Sequence, residues 1–252
     1  MRRTLLAATV AVLLAPPSAR ATGIDLNWNT CWSSFSFNRQ ADMSFACDNN
    51  SAGPFQLFGS VRTGGAVTGI TGWAADLDFV STTFRLEDWW QMGAGECREG
   101  GIGFVYRSAD MPNVTSCNTT LMDTAPTWGS VYFQTSGSSS HYRIGVDGAA
   151  GVSTVGVTKY QLFRIDLSSM KTVADPNDSA PCSGCSSPGC IVLSRLELHV
   201  PPSQTYPDGN VVYTMAEFGN WVTWQNGDFQ FCIGHHVPVA RPTWGQLKSH
   251  YR

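Results

Sequence analysis

Four cysteines in the last third of the chain have the residue type and spacing of a chemical site. Cys182, Cys185 and Cys190 form a C-x-x-C-x-x-x-x-C run, and Cys232 follows at a distance. Four thiolates can hold zinc in a tetrahedron, and a C-x-x-C pair can cycle between dithiol and disulfide. Zinc sites of this kind usually carry a second C-x-x-C, which this chain lacks. Redox pairs use a helix N-terminus to lower a thiol pKa, whereas this run lies in a Ser-, Gly- and Pro-rich stretch between two strand-like segments. The expectation is structural disulfides.

Carboxylates offer a second chemistry. Asp76 and Asp78 are two apart in an alternating segment, so they share one face of a strand with Cα atoms about 7 Å apart. Such a pair can serve glycoside hydrolysis, where the gap between carboxyls sets retention or inversion. The plainer reading is a solvated strand face. Glu87 and Asp88 stand before Trp89 and Trp90, as an acid beside a sugar-stacking ring would. The plainer reading makes the acids partners of a helix start and the tryptophans core.

Other constellations are weaker. His235 and His236 point to opposite sides of an extended segment, so they rarely serve one ion, alone or with His199 or His250. Asp175-Pro176-Asn177-Asp178 lacks the glycine and the distal glutamate of a calcium loop. The chain contains no G-x-S-x-G, no H-E-x-x-H, no phosphate-binding glycine loop and no dinucleotide fingerprint. No residue is assigned a catalytic role, and neither a metal nor a cofactor is expected.

These residues need a scaffold, and the hydrophobic period defines it. Phe55, Leu57 and Val61 alternate with Gln56, Phe58 and Ser60, and Leu77 and Phe79 with Asp76 and Asp78. Ile102, Phe104 and Tyr106 alternate with Gly103, Val105 and Arg107. Val131/Phe133 and Tyr142/Ile144/Val146 follow, then Phe163, Ile165 and Leu167 opposite Tyr160, Leu162, Arg164 and Asp166. In Ile191–Val200 one face is read as Val192, Leu196, Leu198 and Val200, the other as Arg195, Glu197 and His199. Val211–Met215 and Trp221–Gln225 complete the set. Short period-two strands between Gly, Ser, Asn and Pro clusters predict an all-β, antiparallel β-sandwich of the jelly-roll or immunoglobulin-like class. A short turn of helix is expected at Leu86–Trp90. A C-terminal helix over 243–252, capped by Thr243 with Gln246, is expected to dock Trp244, Leu247 and Tyr251.

Composition sets the compartment. Charged residues are 14% of the 252, and there are 9 Trp and 13 Phe, so disorder and coiled coil are both excluded. Residues 1–21 read as a secretory signal: Arg2 and Arg3, an apolar stretch from Leu5 to Ala15, and Ala19-Arg20-Ala21 at the cleavage point. That stretch would rise about 16 Å as a helix, roughly half of a bilayer core. Residues 22–252 are then one secreted, periplasmic or cell-surface domain with no further membrane insertion. Losing Arg2, Arg3 and Arg20 makes it more acidic than the whole-chain net charge of −3, with no basic footprint for nucleic acid. A glycan or a protein is the kind of partner left.

All eight cysteines, Cys31, Cys47, Cys97, Cys117, Cys182, Cys185, Cys190 and Cys232, follow the signal. Behind an export signal an even number predicts a disulfide-stapled domain. The economical local pairs are Cys31 with Cys47 and Cys97 with Cys117, and the last four can pair in three ways.

Several of these residues form a wider pattern. It runs through Leu26-Asn27-Trp28-Asn29 with Cys31, Phe45-Ala46-Cys47, and Asp88-Trp89-Trp90-Gln91 before Cys97-Arg98. It continues with Cys182-Ser183-Gly184-Cys185, Cys190-Ile191-Val192-Leu193, Trp224-Gln225 before Cys232, and the ending Thr243-Trp244-Gly245-Gln246-Leu247-Lys248 with Tyr251-Arg252. In these the chain resembles a family of exported, single-domain bacterial proteins of unassigned activity. The resemblance implies export, one domain and a bacterial source, and implies no ligand or catalytic residue. The expectation is therefore a non-catalytic extracytoplasmic module, binding or structural, with a carbohydrate-binding or carbohydrate-hydrolysing sandwich as the alternative.

Overall fold

The computed structural model describes residues 22–31, 39–81, 86–105, 117, 119–121, 129–135, 141–150, 154–156, 158–175, 180–214, 219–228, 230 and 232. Its strands, in chain order, are β1 Gly23–Trp28, β2 Asp42–Met43, β3 Phe55–Arg62, β4 Val67–Thr68, β5 Gly72–Ser81, β6 Ile102–Val105 and β7 Thr119–Thr120. They continue as β8 Gly129–Thr135, β9 His141–Ala149, β10 Thr154–Val155, β11 Lys159–Leu167, β12 Gly189–His199, β13 Asn210–Tyr213 and β14 Trp221–Trp224. A single 3-10 turn, Asp88–Trp90, stands where the helical turn is expected. The C-terminal segment 243–252 lies outside the described residues, as do His235 and His236.

Two sheets face each other. One runs β1-β3-β11-β6 with β7 beside β11, and the other runs β2-β14-β12-β5-β9-β8 with β13 beside β12. All the long pairings are antiparallel. The inner faces meet in one core of Ile24, Leu26 and Trp28 with Leu57, Phe163 and Ile165, closed from the other sheet by Trp73, Leu77, Phe79, Ile144, Leu193 and Leu196. The all-β sandwich follows from the period-two pattern: a strand with one apolar face has to bury it against another sheet.

Two β-bulges change the faces expected from strict alternation. Between Leu193 and Arg195 the register of β12 on β5 slips by one residue. Ile191, Leu193, Leu196 and Leu198 therefore all point inward, while Val192 turns outward to pack with Cys190, Val80 and Cys232. A second bulge between Gln161 and Phe163 puts Tyr160 opposite Val61, on the core side with Phe163. An extra residue inverts the parity of everything after it, and hydrophobicity alone does not locate it.

Close packing along the smaller sheet, where Gly59 of β3 stands in register with Phe163 of β11, leaves little slack. A Cβ built on Gly59 would lie 2.3 Å from the Phe163 ring, which is fully buried. Gly59→Ala is expected to lower the unfolding free energy by about 1–3 kcal/mol through overpacking, read by urea denaturation. A loss below 0.5 kcal/mol, by the same urea measurement, would mean the Phe163 ring can shift aside at little cost.

The two sides of the sandwich are built differently. Along β1 the seam is sewn shut: Leu26 N–H donates to Gly219 C=O at 2.9 Å, and the Trp28 indole donates to Thr223 C=O at 2.8 Å. Residues 40–43 run between the sheets there. Trp28 N–H donates to Gln40 C=O on one side, and Thr223 N–H to Ala41 C=O on the other. On the opposite side β6 pairs only with β11 and β8 only with β9 among the described residues. Among the described residues no backbone hydrogen bond joins β6 to β8 across that seam.

Candidate functional site

The eight cysteines form four disulfides: Cys31–Cys117, Cys47–Cys185, Cys97–Cys182 and Cys190–Cys232. Neither expected local pair, Cys31–Cys47 or Cys97–Cys117, is present. Chain proximity is a poor guide because the sandwich brings distant loops together at its ends, with separations of 85, 86 and 138 residues. The C-x-x-C run is thereby explained. Cys182 and Cys185 bond to different partners, so they are not a redox couple, and no thiolate is left free for a metal. Among the described residues no group of three or more His, Cys, Asp or Glu is placed to hold an ion.

The tryptophans that follow Glu87 and Asp88 are core. Trp89 and Trp90 are at most 1% exposed, and Trp90 stacks on Trp224 with centroids 3.7 Å apart. The 3-10 turn is tied to the cysteine loop by Trp89 N–H donating to Ser183 C=O at 2.8 Å. At Gly184, φ is +97° and a Cβ would sit 2.1 Å from Glu87 Cβ, so only glycine lets this loop lie on the turn. Glu87 and Asp88 flank buried rings, not an exposed platform.

Asp76 and Asp78 lie on the outer face of the larger sheet, each 6% exposed, which corrects the solvated-face reading. The neighbouring strands supply the cover. Asp78 receives a bidentate pair from Arg143, Nε to Oδ1 at 2.6 Å and Nη2 to Oδ2 at 3.1 Å. Asp76 stands in register with Arg195, which pairs with Glu197. Asp78 and Arg143 thus form a cross-strand ion pair between β5 and β9. Both Asp78 oxygens are engaged by Arg143.

The open seam between β6 and β8 has room for a ligand. Ile102 and Phe104 from β6 and Val131 and Phe133 from β8 face each other across it, over a cavity of about 280 Å³. Met92 forms its floor and is 1% exposed. These four strand side chains are inward residues of edge strands, so they stay half-buried where their equivalents on central strands are sealed. Glu99 stands at the rim, where its Oε2 accepts the Gly95 N–H at 2.9 Å. Alternation identifies Ile102, Phe104, Val131 and Phe133 as inward. That two edges leave a cleft depends on strand order, which carries no local signal, and Met92 and Glu99 give none either. A second, open depression of about 270 Å³ lies over Cys47, Pro181, Cys182 and Gly184, where the sulfurs are already bonded.

Arg98 directly precedes Glu99 and Gly100, two of the residues that line the cleft. It is fully buried, its Nη1 donates to Trp89 C=O at 2.7 Å, and its Nη2 donates to the carbonyls of Gly101 and Ser168. The guanidinium carbon lies 3.4 Å from the Trp89 ring centroid. Burial pushes its pKa down to about 9, which still leaves it charged at neutral pH. No helix among the described residues is long and apolar enough to cross a membrane. No protein-family model matches the chain, and no curated protein matches it.

Proposed function

We propose that the protein is an exported, non-catalytic binding module that takes a small apolar molecule in the open seam between β6 and β8. The observation that carries this reading is the apolar cavity of about 280 Å³ with a single carboxylate, Glu99, at its rim. Pockets for small ligands are concave, mostly apolar and furnished with few polar groups. At about 280 Å³ this one lies just below the roughly 300–1,000 Å³ usual for such pockets. A hydroxyl or amine on the ligand would find Glu99, and the remainder would lie between Phe104, Val131 and Phe133. Export is supported by the signal-like pattern of residues 1–21 and by four disulfides, which persist in oxidising compartments.

The carbohydrate reading finds less support. Of the six described tryptophans, Trp28, Trp73, Trp89, Trp90 and Trp224 are buried and offer no stacking platform, and the half-buried Trp221 has Arg39 over its ring. Trp32, Trp128 and Trp244 lie outside the described residues.

Binding of an uncharged naphthylamine dye to the oxidised protein tests the cleft. One saturable site is expected, with affinity reduced about tenfold or more by Val131→Trp, whose larger side chain fills the space, while Trp221→Phe on the far side leaves it unchanged. Equal binding by wild type and Val131→Trp would end the proposal.

A further inference from the structure

The outer face of the smaller sheet holds a pair of opposite charges that water does not reach. Lys159 Nζ lies 2.6 Å from Asp25 Oδ2, with the side chains 2% and 1% exposed. Asp25 sits on β1 and Lys159 on β11, so the contact crosses over the strand between them, β3, where they stand in register with Ser60 and Arg62. The other carboxylate oxygen, Oδ1, accepts the Gly219 N–H at 2.7 Å. An amine, a carboxylate and a backbone donor are therefore held in contact away from water.

We propose that Lys159 and Asp25 condense into an intramolecular isopeptide bond that ties the first strand of the sandwich to β11. The ammonium first passes a proton to Oδ2. The neutral amine then attacks Cγ, and the charge that develops on Oδ1 is held by the Gly219 N–H. The nitrogen passes a second proton to Oδ2, the Cγ–Oδ2 bond breaks, and Oδ2 leaves as water. One C–N bond forms and one C–O bond breaks. Three ammonium protons become one on the amide and two on the water, so no oxidant, reductant or outside proton source is required.

Burial supplies both the rate and the direction. Fixing the two groups at contact distance turns a sluggish bimolecular reaction into a unimolecular one. Two ions held in a dry site carry a large desolvation cost, and the amide that replaces them is neutral. The released water leaves for bulk solvent. The link would span the 134 residues between the two positions, a stretch that none of the four disulfides ties to β1 itself.

Intact mass of the purified wild-type protein, reduced and denatured, tests this without relying on any variant to fold. The expected mass is one water below that of its polypeptide, with a branched proteolytic peptide joining Lys159 to Asp25. Lys159 should also resist reductive methylation in denaturant, and Asp25→Ala and Lys159→Ala should each return to full mass. A wild-type protein at full mass with a methylatable Lys159 would overturn the proposal. So would a missing water that maps to an aspartyl imide instead of a branched peptide.

Discussion

Serine at both Cys47 and Cys185 is expected to lower the unfolding free energy by about 5 kcal/mol. The disulfide closes a 138-residue separation, the longest of the four, and the chain-entropy effect grows with the logarithm of the loop. Domains of ordinary stability have about 5–15 kcal/mol in total, so a loss of this size would remove between roughly a third and all of it. The single variants are the sharper test. Each opens the same loop, so Cys47→Ser, Cys185→Ser and the double should lose nearly equal amounts in urea titrations without reductant. Residues that belong to one bond are fully non-additive, whereas residues of two separate bonds add. Additive losses would show that Cys47 pairs elsewhere, with Cys31 as the nearest cysteine in the chain. The Cys190–Cys232 bond closes 42 residues, and its removal should cost about 4 kcal/mol.

The same contrast between local and distant information runs through the fold. The larger strands could be read from the sequence because each has an apolar side every second residue: Leu57 and Val61, Leu77 and Phe79, Ile165 and Leu167 all face the core. β1 has no such contrast. Gly23–Trp28 is buried on both sides, with Asp25 and Asn27 covered as fully as Leu26. Its polar residues look like a wet face and are a sealed one, which also hid the Lys159–Asp25 contact. At Val192 and Tyr160 the pattern failed for a different reason, since a bulge costs one residue of parity and leaves composition unchanged. The cleft was half legible. Phe104 and Phe133 announce themselves as inward, but only the order β11-β6 in one sheet and β9-β8 in the other makes them neighbours at an edge. Cysteine pairing was the least legible feature, because it records which loops meet at the ends of the sandwich and no local pattern encodes that.

Arg98→Ala should be nearly as damaging as loss of a disulfide, at about 4 kcal/mol, because the side chain holds three segments at once. Trp89 belongs to the 3-10 turn, Gly101 precedes β6, and Ser168 follows β11, and all three carbonyls accept from one guanidinium. Among the described residues no carboxylate pairs with it. Its charge is balanced by those carbonyl dipoles and by the face of Trp89. Truncation would leave a cavity beneath Trp89 and strand buried acceptors, each worth about 1–3 kcal/mol when unsatisfied. Arg98→Met separates the two contributions. It keeps most of the volume and removes a desolvated charge, so only the orphaned carbonyls remain, and a smaller loss of about 2 kcal/mol is expected. Arg98→Lys keeps the charge but cannot reach three acceptors in a planar fork, and should fall between the two. The cleft supplies a second readout. Gly100 and Ile102 line it and lie within four residues of Arg98, so Arg98→Ala should weaken dye binding under conditions where the domain is still folded, and Arg98→Met much less. A variant series within about 1 kcal/mol of wild type in urea would show that the carbonyls find water instead, and that the segment from Glu99 to Ile102 keeps its place without the arginine.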